Sequence, residues 1–423
     1  MENLTNFLTN AYTSQHACEL VKAHLTENGF THLRERDEWE ICENGKYFVQ
    51  HQNGALIAFV VGGLDNFSYK LTAAHLDSPA LKIKANPVER KNGVCTLNVE
   101  AYGGGVWYSF FDKPLKIAGR VIKNENGRIY TQTVCSPFHV VIPSVAIHQN
   151  RTVNDGFAPN LQTDMQPIVS LADSQTDWLQ AIIADENVIS YDLFVVCDQA
   201  PFTFGVDGDC LCSPRVDNLT GVWACVNALI ASAESDGISV VALFDSEEIG
   251  SRTSQGAEST FLVNTLRRIA YELRFDDEEY FKALASSFLI SVDNAHAVHP
   301  AHPEKSDTTN RCVLGSGVII KSHAGGAYTT SGVSEGVLKA IFNRAGVKYQ
   351  HFYNRSDIRS GATLGSAITT KTGMTGADIG IAQLAMHAAS ECFAKSDYDE
   401  LLNGLTAFYS TNILAEDDGF VIQ

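Results

Sequence analysis

Long apolar runs and positive charge are both scarce in this sequence. Its longest apolar stretch extends from Ala55 to Leu64, well short of the ~18 residues that suggest a membrane-spanning helix. Lys and Arg total 31 against 49 Asp and Glu, which gives a formal net charge of −18. Because an acidic surface repels phosphate backbones and anionic lipids, we expect neither a nucleic acid nor a membrane as a partner.

The sequence also lacks paired cysteine motifs and a targeting segment. The ten cysteines are scattered, and the close pair Cys210 and Cys212 lacks the second pair that a zinc knuckle requires. Residues Met1 to Thr5 contain no basic region ahead of an apolar core, which argues against a signal peptide. We therefore expect a cytoplasmic protein whose reduced thiols act as small buried hydrophobes.

The chain is rich in apolar residues. Their pattern predicts alternating strands and helices, with one interruption. Hydrophobic residues make up 45% of the 423 positions, enough for a large core. Between residues 85 and 208, short β-rich runs dominate, some of them separated by turns such as Asn92-Gly93. We predict an α/β domain of residues 1–84 and 209–423, with a central mixed sheet flanked by helices, and a β-rich domain of residues 85–208 inserted into it.

Residues of the kinds that bind metals recur where the predicted strands end. In chain order they are His75 and Asp77, Glu247 and Glu248, Asp293, and His387. Taken singly, each has an ordinary explanation as a surface pair, a solvated turn or a helix cap. Because open α/β sheets bind ligands at the carboxyl ends of their strands, we expect these side chains to converge on one crevice.

Such a cluster of carboxylates predicts bound cations. Several carboxylates in one crevice would repel one another and lose their hydration at high cost unless positive charge offset them. Histidine nitrogen and carboxylate oxygen, without thiolate, are typical ligands of zinc, cobalt or manganese. The sequence therefore predicts a site for two divalent metal ions.

A serine nucleophile is the competing hypothesis. Residues Gly332–Gly336 match the nucleophile-elbow pattern, Asp357 and His387 follow in the order that α/β-hydrolases use, and Gly103–Gly105 mimic an oxyanion loop. The elbow requires a strand that leads directly into Ser334, yet the residues after it have helical spacing, so we predict that Ser334 caps a helix. A non-enzymatic scaffold or cargo protein is a further alternative, against which the cluster of candidate ligands argues.

Motifs along nearly the whole chain together resemble one known family. They are Ala74-His-Leu-Asp-Ser-Pro79, Ile142-Pro-Ser-Val-Ala-Ile-His148, Ser213-Pro-Arg-Val-Asp-Asn218, Phe244-Asp-Ser-Glu-Glu-Ile-Gly-Ser251, Asp293-Asn-Ala-His-Ala-Val-His-Pro300 and Leu384-Ala-Met-His387. Their types and order resemble the aspartyl aminopeptidase and vacuolar aminopeptidase I family of di-zinc metallopeptidases. For the metals, the resemblance implies His75 and Asp293 on one zinc ion, Glu248 and His387 on the other, and Asp217 as the bridge.

The resemblance also implies catalytic and substrate-binding roles. Glu247 would be the general base, and Asp77 would orient the neighbouring histidine ligand. Lys321 and Tyr328 match positions associated with substrate binding. His148 belongs to the inserted domain and is expected to reach the active site of a neighbouring subunit.

Activity and assembly follow from the same resemblance. It implies a zinc-peptidase-like catalytic domain and an inserted dimerisation domain, with dimers assembled into a dodecamer. The substrates would be peptides that lose their N-terminal residue, with acidic Asp or Glu favoured. Vacuolar relatives favour apolar N-termini, so that preference remains the alternative. Ser144 stands where relatives often carry histidine, which favours His148 as the residue that acts at the neighbouring site.

Overall fold

The computed structural model describes residues 1–233 and 235–423, and a nine-stranded mixed sheet forms its centre. From one edge to the other, its strands are Thr31–Leu33, Lys46–His51, Ala55–Val61, Ile238–Phe244, Tyr69–His75, Phe288–Val292, Thr375–Gly380, Val318–Lys321 and Tyr349–Phe352. This is the predicted mixed sheet of the α/β domain.

The middle of this sheet contains parallel neighbours whose ends position the site. Ile238–Phe244, Tyr69–His75, Phe288–Val292 and Thr375–Gly380 pair side by side in parallel. They are buried along nearly their whole length, as expected for strands that are covered on both faces. Their carboxyl ends therefore lie at the same edge of the sheet.

Helices cover both faces of the nine-stranded sheet. One apolar layer contains residues of Glu2–Asn10, Ser14–Glu27, Val216–Ala231, Gly332–Ala345 and Lys395–Tyr409. The other contains residues of Phe261–Glu272, Asp277–Ala285 and Leu364–Thr372. Alternate residues of one strand contribute to opposite layers, as Ala58 and Phe59 do, because side chains alternate across a sheet.

The inserted β-rich region forms a six-stranded antiparallel sheet with its own core. In spatial order the strands are Arg128–Cys135, Leu115–Glu125, Val188–Cys197, Ala80–Lys91, Val94–Tyr102 and Ile168–Leu171. The short helix Trp178–Ile182 belongs to this region, and the carboxylate of Asp177 caps it by accepting two backbone N–H groups. The strands of this sheet therefore begin at Ala80, slightly before the predicted boundary at residue 85.

Two smaller sheets and four 3₁₀ turns complete the described structure. A five-stranded sheet consists of Phe202–Phe204, Cys210–Ser213, Glu391–Ala394, Ala382–Leu384 and Ala295–His296, and a two-stranded sheet consists of Ile413–Glu416 and Gly419–Ile422. Short 3₁₀ turns cover Trp107–Phe110, Val153–Asp155, Glu247–Ile249 and Pro303–Lys305. No helix in the described part of the chain combines the length and apolar character needed to cross a bilayer.

Candidate metal centre

Ligand-type side chains from separate elements meet at the carboxyl edge of the central sheet. His75 is the last residue of its strand, and Asp293 directly follows the strand Phe288–Val292. Glu248 lies in the 3₁₀ turn that follows Ile238–Phe244. Asp217 lies in the first turn of the helix Val216–Ala231, where its backbone departs from helical geometry. The parallel arrangement of the strands thus brings distant parts of the chain together.

Two groups of side chains share the carboxylate of Asp217. In the first group, Nε2 of His75 lies 3.5 Å from Asp217 Oδ1 and 3.6 Å from Asp293 Oδ1. In the second, Nε2 of His387 lies 3.4 Å from Asp217 Oδ2 and 3.3 Å from Glu248 Oε1. Within each group the candidate ligand atoms lie within 4.8 Å of one another. Asp217 therefore directs one oxygen to each group.

Both histidines are oriented through their other ring nitrogen. Nδ1 of His75 lies 3.0 Å from the carbonyl oxygen of Asp77, and Nδ1 of His387 lies 2.9 Å from that of Gly104. A carbonyl can only accept a hydrogen bond, so we assign the proton of each ring to Nδ1. With a metal ion bound, each Nε2 would offer its lone pair to the ion, as metal-binding histidines do.

Asp77 holds the turn that carries both glutamates. Its Oδ1 accepts the backbone N–H of Glu247 at 3.1 Å, and its Oδ2 accepts that of Glu248 at 3.1 Å. The hydroxyl of Tyr102 donates to Oδ2 at 2.8 Å. The Asp77 side chain is buried, so these bonds fix the backbone of the turn relative to His75.

Glu391 is a buried carboxylate of the site that the sequence analysis missed. It accepts the backbone N–H groups of Asp217, at 2.9 Å, and of His387, at 2.5 Å. Burial, followed by the nearby charge of Asp217, raises the pKa of Glu391 to about 8. Its position four residues after His387 is the only signal in the sequence that could have indicated it.

The electrostatics of the cluster are dominated by buried acids. Burial is the largest influence on Glu247 and raises its pKa to about 7, with the charge of His75 opposing the shift. Burial also raises the pKa of Glu248 well above its ordinary value. At Asp217 burial acts in the same direction, but without metal the interactions with the doubly protonated rings of His387 and His75 outweigh it and lower the pKa. The site thus concentrates negative charge that two histidines and Lys321 only partly compensate.

Unsatisfied oxygens and ligand chemistry both fit bound zinc. Within residues 1–233 and 235–423, Oδ1 of Asp217 and Oε1 of Glu248 are buried without a hydrogen-bond partner. An unsatisfied buried carboxylate oxygen is costly, and a cation removes that cost. Imidazole nitrogen with carboxylate oxygen is a ligand set that zinc enzymes use.

The predicted substrate-binding residues occupy different surroundings. Lys321 Nζ donates to Asp293 Oδ2 at 3.0 Å, to the Asp293 carbonyl at 3.0 Å and to the Asn294 carbonyl at 3.2 Å. The same nitrogen lies 4.9 Å from the centre of the Tyr328 ring. His148 is exposed on the inserted region, and no hydrogen bond or ion pair between described residues joins it to the metal cluster. The structure thus brings Lys321 and Tyr328 to the cluster but not His148 of the same chain.

The structure does not bring the residues of the serine-hydrolase alternative together. Ser334 is buried in the first turn of Gly332–Ala345, where it forms a reciprocal capping box with Ser331. Its hydroxyl donates to the Ser331 carbonyl, and Asp357 forms an exposed ion pair with Arg355. Ser334 therefore supports the start of a helix, as predicted, although the N-cap itself is Ser331.

Comparison with known proteins agrees with this geometry. A sequence profile of the family described as Aminopeptidase I zinc metalloprotease (M18) matches residues 7–409. The probable M18 family aminopeptidase 2 of Clostridium acetobutylicum is 38% identical over 425 residues, covering 97% of this chain and 98% of the relative.

Solved structures share the fold over nearly the whole chain. The cryo-EM structure of the Ape4 and Nbr1 complex matches with a TM-score of 0.93 and 29% identity, over 96% of this chain and 85% of that chain. The S. cerevisiae mApe1 dodecamer matches with a TM-score of 0.81 and 24% identity, over 96% of this chain and 95% of that chain. Together with the profile and the curated relative, these matches show that the chain belongs to the M18 family of aminopeptidases, which are zinc metalloproteases.

Proposed function

We propose that this aminopeptidase binds two zinc ions through the two groups that share Asp217. His75 and Asp293 would hold one ion, Glu248 and His387 the other, and Asp217 both. The observation that carries this proposal is the orientation of Asp217, whose two oxygens face different histidines at 3.5 and 3.4 Å. Cobalt or manganese would suit the same ligands.

In hydrolysis, the metal ligands and Glu247 would have separate roles. When bound, the zinc ions would polarise the scissile carbonyl and lower the pKa of the attacking water. Glu247 would take a proton from that water and deliver it to the leaving amine. Two contacts support this role: Asp77 fixes the backbone of Glu247, and a carboxylate oxygen of Glu247 lies within 4.8 Å of ligand atoms of His75 and Glu248.

The adjacent glutamates give a direct test of the proposal. Glu247→Gln keeps the shape of the side chain but cannot accept a proton, so both ions should stay bound while kcat falls about 10²- to 10⁴-fold. The KM should change little, because the proton moves in the transition state. Glu248→Ala should lose one of the two ions, measured by elemental analysis. A Glu247→Gln enzyme with near-normal kcat, or fully active protein with a single ion, would contradict the proposal.

For specificity, we propose a preference for acidic N-terminal residues. The support is Lys321, a buried ammonium group beside Asp293 and Tyr328. The apolar alternative rests on the same lysine, because its three N–H donors already bind Asp293 and Asn294. Release rates from Asp, Asn, Glu, Gln and Leu substrates distinguish the two. Acidic preference requires Asp and Glu to exceed their uncharged amides in kcat/KM by about tenfold, or ~1.4 kcal/mol, and faster release of Leu would favour the apolar alternative.

We further propose that the chain forms a dodecamer built from dimers. The mApe1 structure described above is a dodecamer, and its fold matches this chain. In the inserted region, Val145 is 59%, Ile147 49% and Phe157 41% exposed, which is typical of a surface that a partner covers. Light scattering coupled to size exclusion should give twelve chains per particle, and a monomer that is active at assay concentrations would contradict the proposal.

A further inference from the structure

Residues 102–109 of the inserted region contact both sides of the metal centre within the same chain. We call them the bridging segment. Tyr102 binds Asp77, as described, and the Gly104 carbonyl binds His387 Nδ1. The backbone N–H of Val106 donates to the His387 carbonyl at 2.9 Å. The segment therefore links the predicted assembly domain to the catalytic residues.

Of these three contacts, the one from Tyr102 uses a side chain of the bridging segment, whereas those from Gly104 and Val106 use its backbone. In the described chain, Asp77 accepts hydrogen bonds from two backbone N–H groups, those of Glu247 and Glu248, and from the hydroxyl of Tyr102. Nδ1 of His75 lies farther away, 3.6 Å from Asp77 Oδ1. The two backbone donors belong to the turn that Asp77 supports. Tyr102 is thus the donor that ties the carboxylate to a separate element, the strand Val94–Tyr102.

Packing alone does not fix the Asp77 carboxylate. Asp77 and Tyr102 both line a cavity of about 200 Å³ between the inserted and catalytic regions, together with Arg215 and Asp245. A side chain that borders a cavity has fewer atoms around it to restrict rotation. The hydrogen bond from Tyr102 is the shortest of the three that hold the carboxylate, at 2.8 Å against 3.1 Å for each backbone N–H.

We propose that Tyr102 is a positioning residue for the hydrolytic site. Its hydroxyl orients Asp77, and the oriented carboxylate holds the backbone of Glu247 and Glu248. Without the hydroxyl, Asp77 can turn toward the cavity and loosen its bonds to both N–H groups. This inference rests on the roles proposed above for Asp77, Glu247 and Glu248.

Tyr102→Phe tests the inference because it removes only the hydroxyl. Loss of a group that supports metal ligands typically costs 10- to 100-fold in metal affinity or activity. We expect zinc affinity, measured by competition with a chromogenic chelator, to fall by about that factor. At saturating zinc, kcat should also fall while KM stays within about twofold, because the displaced Glu247 acts in the transition state.

Tyr191→Phe is the matched control in the same sheet. Its hydroxyl donates to the Lys84 carbonyl at 2.7 Å, and its ring packs edge-on against Trp178. This variant also loses the hydrogen bonding of one hydroxyl, which reaches the Ala85 carbonyl at 3.2 Å as well, so its melting temperature should drop comparably, with zinc affinity and kcat unchanged.

The outcomes separate this inference from the proposed function. If Tyr102→Phe matches Tyr191→Phe in zinc affinity and kcat, the positioning role is wrong, while the proposed function stands as long as Glu248→Ala still loses an ion. If Glu248→Ala also keeps both ions, the proposed ligand set fails, and the inference fails with it.

Discussion

The carboxylate of Glu391 accepts the backbone N–H of Asp217 at 2.9 Å, although 174 residues separate them in the sequence. The same carboxylate accepts the N–H of His387. Glu391 begins the strand Glu391–Ala394, which pairs with Cys210–Ser213 just ahead of Asp217. One buried acid thus aligns the backbones of two proposed ligands, including the one shared by both metal groups.

Glu391→Gln should weaken zinc binding without removing a ligand. The amide offers one acceptor oxygen, so its NH₂ group would face one of the two backbone N–H donors. We expect about 10- to 100-fold lower zinc affinity in chelator competition. Glu400→Gln is the control, because Glu400 also accepts a backbone N–H, that of Lys348 at 3.1 Å, in a more exposed place. Equal zinc affinity in the two variants would contradict the role of Glu391.

Removing the metals should destabilise the folded protein. Asp217, Glu248 and Asp293 would then face one another with the two histidines and Lys321, which pairs with Asp293, to compensate them. A ligand that binds only the folded state adds about 2.7 kcal/mol of stability per site at 100 times its Kd. We expect a chelator to lower the melting temperature, and added zinc to restore it. If metal analysis confirms that the ions are removed and the melting temperature is unchanged, the ions do not stabilise the fold.

Gly103 should be intolerant of a side chain, whereas its neighbour Gly104 should accept one. Gly103 has a φ of +73°, and a Cβ there would lie 3.1 Å from Cβ of Glu248. At Gly104, φ is not in the left-handed region and an added Cβ meets no atom within 4 Å. Gly103→Ala should therefore cost about 1–2 kcal/mol of stability from backbone strain and reduce bound zinc. Gly104→Ala should resemble the wild type in thermal melts and metal analysis, and similar losses in both variants would argue against the contact with Glu248.

Structural features that depend on the local sequence pattern can be predicted from this sequence, whereas those that depend on contacts between distant residues cannot. Buried strands such as Ile238–Phe244 are apolar over most of their length, here from Val240 onward, so the polar residues at their ends are readily identified. The apolar residues ahead of His387 read as a single strand over residues 378–382, whereas the structure has two strands there. The central strand ends at Gly380, and the short strand before His387, Ala382–Leu384, belongs to another sheet. One residue separates the two strands, too little for the hydrophobic pattern to divide them.

Other parts of the site had no local signal. The contact of Tyr102 with Asp77 depends on the packing of two sheets, which spacing in the sequence does not encode. The helix Leu364–Thr372 has little signal in the sequence because its Thr, Ser and Gly residues have low helix propensity, so tertiary packing decides its structure. Substrate recognition and the reach of His148 stay predictions, because they depend on molecules beyond this chain.

Ser331→Ala and Ser334→Ala should separate helix capping from catalysis. Ser331 is the N-cap of Gly332–Ala345, and its loss should cost about 0.5–2 kcal/mol of stability. Ser334→Ala removes the reciprocal bond to the Ser331 backbone and should have a smaller effect on the melting temperature. Both variants should keep wild-type kcat at a temperature where they are folded. If folded, zinc-loaded Ser334→Ala were inactive, the hypothesis that Ser334 is a nucleophile would be supported.

His148 gives a prediction that only the assembled protein can fulfil. It is exposed on the inserted region beside apolar residues Val145 and Ile147, which we propose to be covered by another subunit. If it acts in a neighbouring active site, His148→Ala and Glu247→Gln chains should each be nearly inactive alone but complement one another when mixed. A site with Glu247 from one chain and His148 from its neighbour is intact, and random mixing of equal amounts should give about one such site in four.

The mixing experiment needs proof that hybrid particles form and that the loss is specific to this histidine. Differently tagged chains, unfolded and refolded together, should co-purify through two affinity steps before activity is measured. His139→Ala is the matched control, because His139 is another exposed histidine of the inserted region and pairs with Asp198. It should retain kcat on its own, since it makes no contact with the metal groups. Recovered activity in the hybrids requires a residue donated between subunits, whereas verified hybrids without recovery would place the action of His148 within its own chain.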